Sequence, residues 1–446
     1  MPWGDHRWIP VIRNACVANT SSKDQLPIIS DKRIFALILV PFGLGYFLSY
    51  LFRTVNVVIA PDLAVDLKLT AADLGFLTSI YFILFAAFQT PLGVILDRYG
   101  PRRVQIVLLL VAALGSFLFA INNSMVILTI ARSLIGLGVS GCLMAALKAN
   151  AQWFSAARLP FVNACTMSFG TFGALTATIP VEVLADLYGW RMIFTVLAVF
   201  TVFLALVTAF IIPDHISPKD TTRQGNYKIA DQFRDLGAIY RDRFFWQIAV
   251  VTMLHGGVFL SYQALWMGPW LADVAGYSQV SVANPMLFFN VGMFAGVVGF
   301  GVLADRLQKF GFGLMMIVRF GVGASLIVQI MFAIEVTSLA VFMCAAFGFF
   351  GSSTLLVYAL LGQNFPGHMV GKVNTAQNMM IFIGAFVLQW GIGVIIDFWP
   401  AVGEGRYDPE GHQVALIYVI ALELLAYTWL LMPSRMDKRD LNGSRS

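Results

Sequence analysis

Residues 93–103 read GVILDRYGPRR, and residues 301–306 read GVLADR. Each stretch has a glycine followed four residues later by an Asp-Arg pair, and the two glycines, at positions 93 and 301, are 208 residues apart. Five further identities recur at an offset of 211: Gln152 and Gln363, Phe154 and Phe365, Asn163 and Asn374, Gly173 and Gly384, and Asp186 and Asp397. The chain is therefore predicted to contain two copies of one structural unit.

The composition around these repeats excludes a soluble protein. Of the 446 residues, 59% are hydrophobic and 12% are charged, whereas a soluble domain carries roughly 25% charged residues. Disordered chains are polar and highly charged, so that class is excluded as well. Apolar runs of about 20 residues recur, which is the length that crosses a bilayer as a helix. No long stretch alternates in polarity as a membrane strand does. An all-α polytopic membrane protein is predicted.

The apolar runs predict twelve transmembrane helices in two pseudo-symmetric six-helix bundles. The predicted spans lie near 34–60, 74–96, 104–122, 126–150, 160–184, 190–212, 245–272, 283–304, 313–333, 337–363, 371–397 and 413–432. The predicted domains are an N-terminal tail, a first bundle, a central loop, a second bundle and a C-terminal tail, at 1–33, 34–212, 213–244, 245–432 and 433–446.

The distribution of basic residues predicts the orientation. Of the 29 lysines and arginines, only Lys68, Arg191 and Arg406 fall in loops on one side, and most of the others fall in the tails and opposite loops. The positive-inside rule then places both termini in the cytoplasm. The first 33 residues lack the apolar core of a signal peptide and are read as a cytoplasmic tail. The expected location is the plasma membrane, or the inner membrane of a Gram-negative bacterium.

The loop at 93–103 resembles the signature loop of the major facilitator superfamily, and 301–306 resembles its echo in the second half. Arg132-x3-Gly136 is similar to the helix-4 motif of that superfamily, and Gly189-Trp190-Arg191 is similar to its sequence before helix 6. The resemblance spans roughly residues 34–432. It implies a transporter in which substrate lies between two parallel repeats.

The charged residues of the loop at 93–103 suggest a separate hypothesis. Asp97 follows the C-terminal end of the second span, where a carboxylate meets an unfavourable helix dipole. It needs a cationic partner, and we expect one of the loop arginines. The cluster is interpreted either as a latch between the two halves or as a positive-inside anchor. The predicted latch residues are Gly93, Asp97, Arg98, Arg102, Arg103, Asp305 and Arg306.

Arg53 is the first candidate for substrate binding. A charged side chain at the centre of a span costs at least about 2.5–3.5 kcal/mol, which marks it as a functional hypothesis. Tyr46, Tyr50 and Arg53 are spaced at i, i+4 and i+7, so they share one helix face. The guanidinium fork can bind a planar carboxylate or phosphate through two hydrogen bonds. An arginine that snorkels or pairs structurally is the alternative.

Further polar side chains within the spans complete the predicted substrate site. Each has a second interpretation: Arg132 as a general motif residue, Lys148 as a gate or snorkelling residue, and the aromatic and amide residues as packing. These candidates are Arg132, Lys148, Tyr262, Trp266, Asn290 and Asn378.

YLFRTVN at 50–56 is similar to helix 1 of two families in that superfamily, the anion:cation symporters and the organophosphate:phosphate antiporters. The antiporters carry a second arginine before a helix-7 tyrosine, where this chain has Ser261 before Tyr262, so the resemblance disfavours phosphate esters. The symporters have acidic residues where this chain has Phe52 and Val139. The resemblance therefore implies that anion binding is kept while those proton-coupling acids are missing.

Two other residues are candidates for coupling to a proton. Glu182 lies near the outer end of the fifth span, and His255 lies in the seventh. Histidine titrates near neutral pH, which suits proton transfer. The alternatives are a solvated carboxylate for Glu182 and a packing residue for His255.

The sequence predicts a secondary transporter that moves a small organic anion or an amino-acid-like metabolite by alternating access. A carrier of neutral polar solutes, a drug exporter and a non-transporting solute sensor remain alternatives. Neither HExxH nor GxSxG occurs, and the four cysteines are scattered, so we expect no enzyme, metal or cofactor. The expected partners are the lipid bilayer, an anionic substrate and a proton. We expect a monomer that binds no nucleic acid.

Overall fold

The computed structural model describes residues 31–155, 158–212, 237–278, 281–366, 369–403 and 405–433. In these residues the elements are helices, with one isolated backbone bridge between Gly403 and Arg406. The protein is an all-α polytopic membrane protein, as predicted. The two predicted tails and most of the predicted central loop lie outside the described residues, so the domain boundaries there stay predictions.

The first half of the chain forms eight helices, because several spans are broken. They are α1 (Asp31–Thr54), α2 (Asn56–Leu67), α3 (Ala71–Ile121), α4 (Met125–Val139), α5 (Cys142–Trp153), α6 (Leu159–Thr176), α7 (Ile179–Tyr188) and α8 (Trp190–Ile211).

In the described residues, the second half includes eight α-helices, a π-helical turn at Tyr262–Trp266, and 3-10 turns at Thr337–Leu339 and Ser352–Leu355. The α-helices are α9 (Arg243–Ser261), α10 (Met267–Asp273), α11 (Ala283–Lys309), α12 (Leu314–Ala333), α13 (Ala340–Gly351), α14 (Leu356–Asn364), α15 (Val370–Ile396) and α16 (Pro409–Leu431).

Ten helices in the described residues are long and apolar enough to span a membrane, or eleven if the pair α6–α7, bent by 40°, counts as one span. One of them, α3, has 51 residues, more than twice the length that a span needs. Gly100 breaks α3 with φ 78° and ψ 158°, values that favour glycine. If the two arms of α3 each cross the membrane, the total is the twelve spans predicted from the sequence. That number stays a prediction.

The two halves touch closely on one side of the molecule. We call the side where α1 begins and α16 ends the tail side, and the opposite one the far side. On the far side, a Cβ atom at Gly268 would lie 2.1 Å from the Val57 carbonyl oxygen, and one at Gly393 would lie 2.3 Å from that of Ala71. Side chains larger than hydrogen would force these backbones apart. The far side is therefore closed by direct backbone packing between the halves.

Hydrogen bonds reinforce this closure. The carboxylate of Asp397, just after α15, accepts hydrogen bonds from the backbone N–H groups of Ala71 at 2.8 Å and Ala72 at 2.9 Å. These N–H groups begin α3, so a carboxylate from one half caps a helix of the other. About two turns deeper, the Gln389 amide donates to the Thr78 hydroxyl at 2.6 Å. The closed far side therefore has a polar lock between α3 and α15.

We expect Asp397→Asn to weaken this lock, because the amide loses the negative charge that the helix N-terminus attracts. A carboxylate at an exposed helix end contributes about 0.3–1 kcal/mol, so the far side should open roughly twofold to fivefold more often. The measurement is the rate of maleimide labelling of a cysteine introduced at Val58, which lines the closed far side.

Asp186→Asn is the matched control, since Asp186 occupies the repeat-related position and forms no hydrogen bond in the described structure. Equal labelling rates for the Asp397→Asn variant and the parent would contradict the lock.

Candidate substrate-binding site

Arg53 lies in the last turn of α1 and is 7% exposed. Its guanidinium carbon lies over three aromatic rings, 4.6 Å from the centre of Tyr50, 5.6 Å from Phe85 and 5.3 Å from Phe382. Aromatic faces attract a cation, with an energy of about 0.5–2 kcal/mol for each favourable pair. The rings therefore offset part of the cost of burying the charge.

The polar contacts of Arg53 leave capacity for a ligand. Its guanidinium hydrogen bonds with Tyr81, whose hydroxyl donates to the Ser49 carbonyl oxygen at 3.2 Å. The Nε atom is buried without a hydrogen-bond partner, and no described carboxylate forms a salt bridge with this arginine. A buried cation without an acidic partner is suited to receive an anion.

Both halves contribute to this site. Phe382, from α15 in the second half, packs against Phe85 of α3 with ring centres 4.3 Å apart. Tyr358 of α14 donates a hydrogen bond to Asn378 at 2.9 Å and lies within electrostatic range of Arg53. The predicted residue Asn378 is therefore connected to the Arg53 site through its hydrogen bond with Tyr358. The site lies between the halves, where a change in their arrangement would alter it.

The predicted stripe on α1 is brought together in the structure. Tyr46 and Tyr50 form an edge-to-face pair with ring centres 5.2 Å apart, and Tyr50 continues to Arg53. Tyr46 is buried and also lies within electrostatic range of Arg53. The three residues present a cation and two phenol groups at one place.

Arg132 is placed elsewhere. It is fully buried in the first half, over the rings of Phe119 at 5.3 Å and Phe194 at 5.8 Å. None of its three guanidinium nitrogens has a hydrogen-bond partner in the described residues. The contacts to α3 and α8 place its charge inside one bundle, and Tyr81 of the Arg53 site also lies within electrostatic range of Arg132.

The candidate substrate-binding residues of the second half make several different contacts. Trp266 donates to the Gln389 carbonyl oxygen at 2.8 Å and so belongs to the far-side closure. Tyr262 is buried with its ring against Phe347 of the same half. Asn290 donates to the carbonyl oxygen of Ala174 in the first half at 3.4 Å. These residues bridge or support the halves without contacting the Arg53 rings.

The two coupling candidates are both buried. Glu182 lies in the first turn of α7, where a carboxylate is favoured by the helix dipole, and its Oε1 atom has no partner in the described residues. His255 faces the interior of the second half, where its Nδ1 atom lies 2.6 Å from the carboxylate of Glu423. The histidine therefore has an acidic partner that the sequence prediction did not assign to it.

In the loop cluster, Asp97 forms its salt bridge with Lys148, at 2.6 Å. The partner expected from the sequence was a loop arginine, but the lysine of α5 reaches the end of the helix and also donates to the Leu96 carbonyl oxygen at 2.8 Å. Lys148 thus satisfies both the carboxylate and a terminal carbonyl group of that helix arm. In this structure the pair lies within the first half.

The remaining predicted latch residues make local contacts. Arg98 lies over the ring of Tyr99, and Arg102 donates to the Ala209 carbonyl oxygen in α8. Asp305 pairs with Lys309 at 3.4 Å across an exposed helix turn. Arg103 and Arg306 belong to the same side of the molecule, and the space beside Gly93 is open. The latch stays a hypothesis.

Sequence reasoning missed several residues of the Arg53 site. Phe85, Phe382, Tyr81 and Tyr358 are ordinary apolar-span residues, and no local spacing relates them to Arg53. Only the packing of α3, α14 and α15 around α1 brings them close. The repeat gave a general indication, because it predicts that the two halves face each other.

Comparison with known proteins gives the family. The family model described as Major Facilitator Superfamily matches residues 42–388. The "Probable sulfoacetate transporter SauU" of Cupriavidus necator is 26% identical over 428 residues, covering 90% of this chain and 96% of that protein. The "Hexuronate transporter" of Escherichia coli K12 is 25% identical over 293 residues, covering 62% of this chain and 66% of that protein.

A solved structure has the same fold. The bacterial homologue of the human lysosomal transporter Spinster, described as inward-facing and unoccupied, superimposes with a TM-score of 0.76 at 15% identity. The alignment covers 92% of this chain and 99% of that protein.

Proposed function

Because the chain belongs to the major facilitator superfamily, we propose that it is a secondary active transporter that carries a small organic anion by alternating access. The observation that carries the proposal is Arg53, a buried cation between the two halves with no acidic partner in the described structure. A bound anion would neutralise it in a region where uncompensated charge is costly. One chain supplies both sides of the site, so we propose a functional monomer.

The relatives suggest the chemical class of the anion. Sulfoacetate and hexuronates, which give two relatives their names, are small acids that carry a carboxylate. A carboxylate can accept two parallel hydrogen bonds from a guanidinium. The phenol groups of Tyr46 and Tyr50 could donate to the remaining oxygens of such a ligand. We therefore propose a small organic acid as the substrate, and we disfavour a neutral solute.

The arrangement of the contacts supports the proposal of alternating access. Backbone packing and the Asp397 lock close the far side in this structure. Phe382 moves with the second half, while Arg53, Tyr50 and Phe85 move with the first, so a rocking motion would open the site toward one side at a time. With the termini in the cytoplasm, as the positive-inside rule predicts, the closed side faces outward.

The first test removes the cation of the proposed site. We expect Arg53→Gln to lower the affinity for the organic anion at least tenfold, since hydrogen bonds to charged groups are worth about 1.5–3 kcal/mol. Arg53→Lys should keep the charge but lose the fork, and so also weaken binding. Titration of the purified proteins with sulfoacetate, glucuronate and galacturonate measures this.

Arg319→Gln is the control, because Arg319 is another arginine within a span but bonds to the carbonyl oxygens of Leu430 and Met432. Binding by Arg53→Gln within about twofold of the parent would overturn the anion site and favour a neutral solute. Counterflow in proteoliposomes provides the test for transport, and binding without counterflow would indicate a solute sensor.

A second test separates two roles for Lys148. If the Asp97–Lys148 pair controls the interconversion of states, Asp97→Asn and Lys148→Gln should both slow counterflow severalfold and leave the affinity nearly unchanged. If Lys148 instead binds the anion, only Lys148→Gln should lose affinity. Asp186→Asn is the control, since Asp186 lies outside the predicted latch and forms no hydrogen bond in the described residues. Normal counterflow in both variants of the pair would contradict the latch.

A further inference from the structure

The interior of the second half contains an ionisable pair that the anion site does not use. His255 of α9 and Glu423 of α16 lie 2.6 Å apart, and each side chain is 1% exposed. The Gln329 amide of α12 donates to the same carboxylate oxygen at 3.1 Å. His255 lies 12 residues after the start of α9, or about 18 Å along the helix, which is deep in the span.

The two groups retain unused hydrogen-bonding capacity. His255 Nε2 and Glu423 Oε1 are buried and have no hydrogen-bond partner in the described residues. A buried polar group without a partner costs about 1–3 kcal/mol, so this arrangement would be a poor choice for stability alone. A charged group within a span is by default a functional hypothesis.

His255 and Glu423 are titratable groups in contact with each other in the interior of this bundle, and most of the groups that face them are neutral. From α12 the facing group is the neutral Gln329, and from the π-helical turn Tyr262 lies within electrostatic range of Glu423. The neighbouring α15 presents Gln377, which donates to Thr252. Other ionisable groups of the packed helices include the Cys344 thiol of α13, Lys372 and Arg319 near the tail-side ends of α15 and α12, and Tyr427, which donates to the Arg319 carbonyl oxygen. His412 of α16 pairs with Asp273 near the far side.

The His255–Glu423 pair is connected to the anion site through the packing of α9 against α15. A Cβ atom at Gly384 of α15 would lie 1.9 Å from the Met253 carbonyl oxygen of α9, so the two helices are in backbone contact. On one face of α15, Phe382 covers Arg53, and the adjacent Ile381 lies beside Gly256, the neighbour of His255. A shift of α15 on anion binding would therefore reach His255 through direct contacts.

The charges give a rule for coupling. Without a proton, the pair is a neutral histidine beside a carboxylate and carries −1, which balances the +1 of Arg53. A monovalent anion alone leaves the region at −1, a proton alone leaves it at +1, and both together restore zero. Outside this region, the buried Arg132 and Glu182 are also of opposite sign, and the buried carboxylate of Asp273 faces His412 near the far side. Because net charge in an apolar interior is costly, the empty and the doubly loaded forms should interconvert most readily.

We propose that His255 and Glu423 form a proton-binding site that couples proton entry to anion transport, an inference that rests on the proposed function. One proton from water binds to the imidazole of His255, which becomes imidazolium beside the Glu423 carboxylate. The same proton returns to water when the second half rearranges after transport. No other bond forms or breaks, and one proton accompanies each monovalent anion.

The experiment counts protons directly. Glucuronate is added to purified protein in weakly buffered detergent solution with a pH indicator, above the pH at which the pair is protonated. The parent should take up close to one proton per bound anion. Glu423→Gln and His255→Gln should take up almost none, while their affinity for glucuronate at high pH stays within about threefold of the parent. In proteoliposomes both variants should lose accumulation driven by a pH gradient. Glu423→Gln, whose anion-loaded form stays neutral, should keep counterflow, whereas His255→Gln, whose anion-loaded form carries −1, should exchange substrate more slowly.

A matched control is available on the same helix. His412 of α16 and Asp273 form a second buried pair at 3.1 Å, near the far side. Asp273→Asn disrupts a histidine–carboxylate contact without touching the proposed site, so its proton uptake should remain at the parent value. Glu182→Gln tests the other coupling candidate in the same assay. Unchanged proton uptake in Glu423→Gln and His255→Gln would overturn the proposal.

A separate measurement does not depend on the ligand. In ligand-free protein with isotope-labelled histidine, the His255 signal, assigned by its loss in His255→Gln, should report the gain of a proton as the pH is lowered. A His255 that stays in one protonation state throughout would overturn the proton site even if anions bind. Failure of all three acids to bind the parent would contradict the proposed function instead, and the titration would still decide the proton site.

Discussion

The burial of a guanidinium among aromatic rings is the interaction on which the rest of the arrangement depends. Arg53 is held by cation–π contacts and a tyrosine hydroxyl, which stabilise the charge only in part. A carboxylate in direct contact would stabilise it better but would compete with an anionic ligand. The ring from the second half also ties the charge to the relative position of the two bundles. The stabilisation of the Arg53 charge therefore depends on how the two bundles are arranged.

The duplicated halves are related in fold but not in the use of their side chains. At repeat-related positions, Asp397 caps α3 across the interface, while Asp186 forms no hydrogen bond in the described residues. The buried cation near the interface lies in the first half, and the buried histidine–carboxylate pair lies in the second. Under the two proposals, the first half would bind the anion and the second half the proton, and the packed helices would connect the two sites.

The sequence was sufficient to predict the fold class and the family, because the lengths of apolar runs and the repeated motifs are properties of neighbouring residues. It also brought Tyr46, Tyr50 and Arg53 onto one face, since a single helix determines their spacing. It could not assign Lys148 to Asp97, because the two residues meet only when α5 packs beside α3. For the same reason Glu423 was not paired with His255, although both residues were visible as charges or titratable groups within predicted spans.

The π-helical turn at Tyr262–Trp266 divides the seventh span into two parts with different orientations. Before the turn, His255 faces the interior of the second half, and at the last residue of the turn, Trp266 faces the closure with α3 and α15. In a continuous α-helix each residue advances by about 100°, so one residue more or fewer rotates everything beyond it by that angle. The extra residue in a wide turn thus allows one helix to carry two interaction surfaces whose sequence spacing would otherwise be incompatible. An insertion of this kind gives evolution a way to re-aim half of a membrane helix without rebuilding the other half.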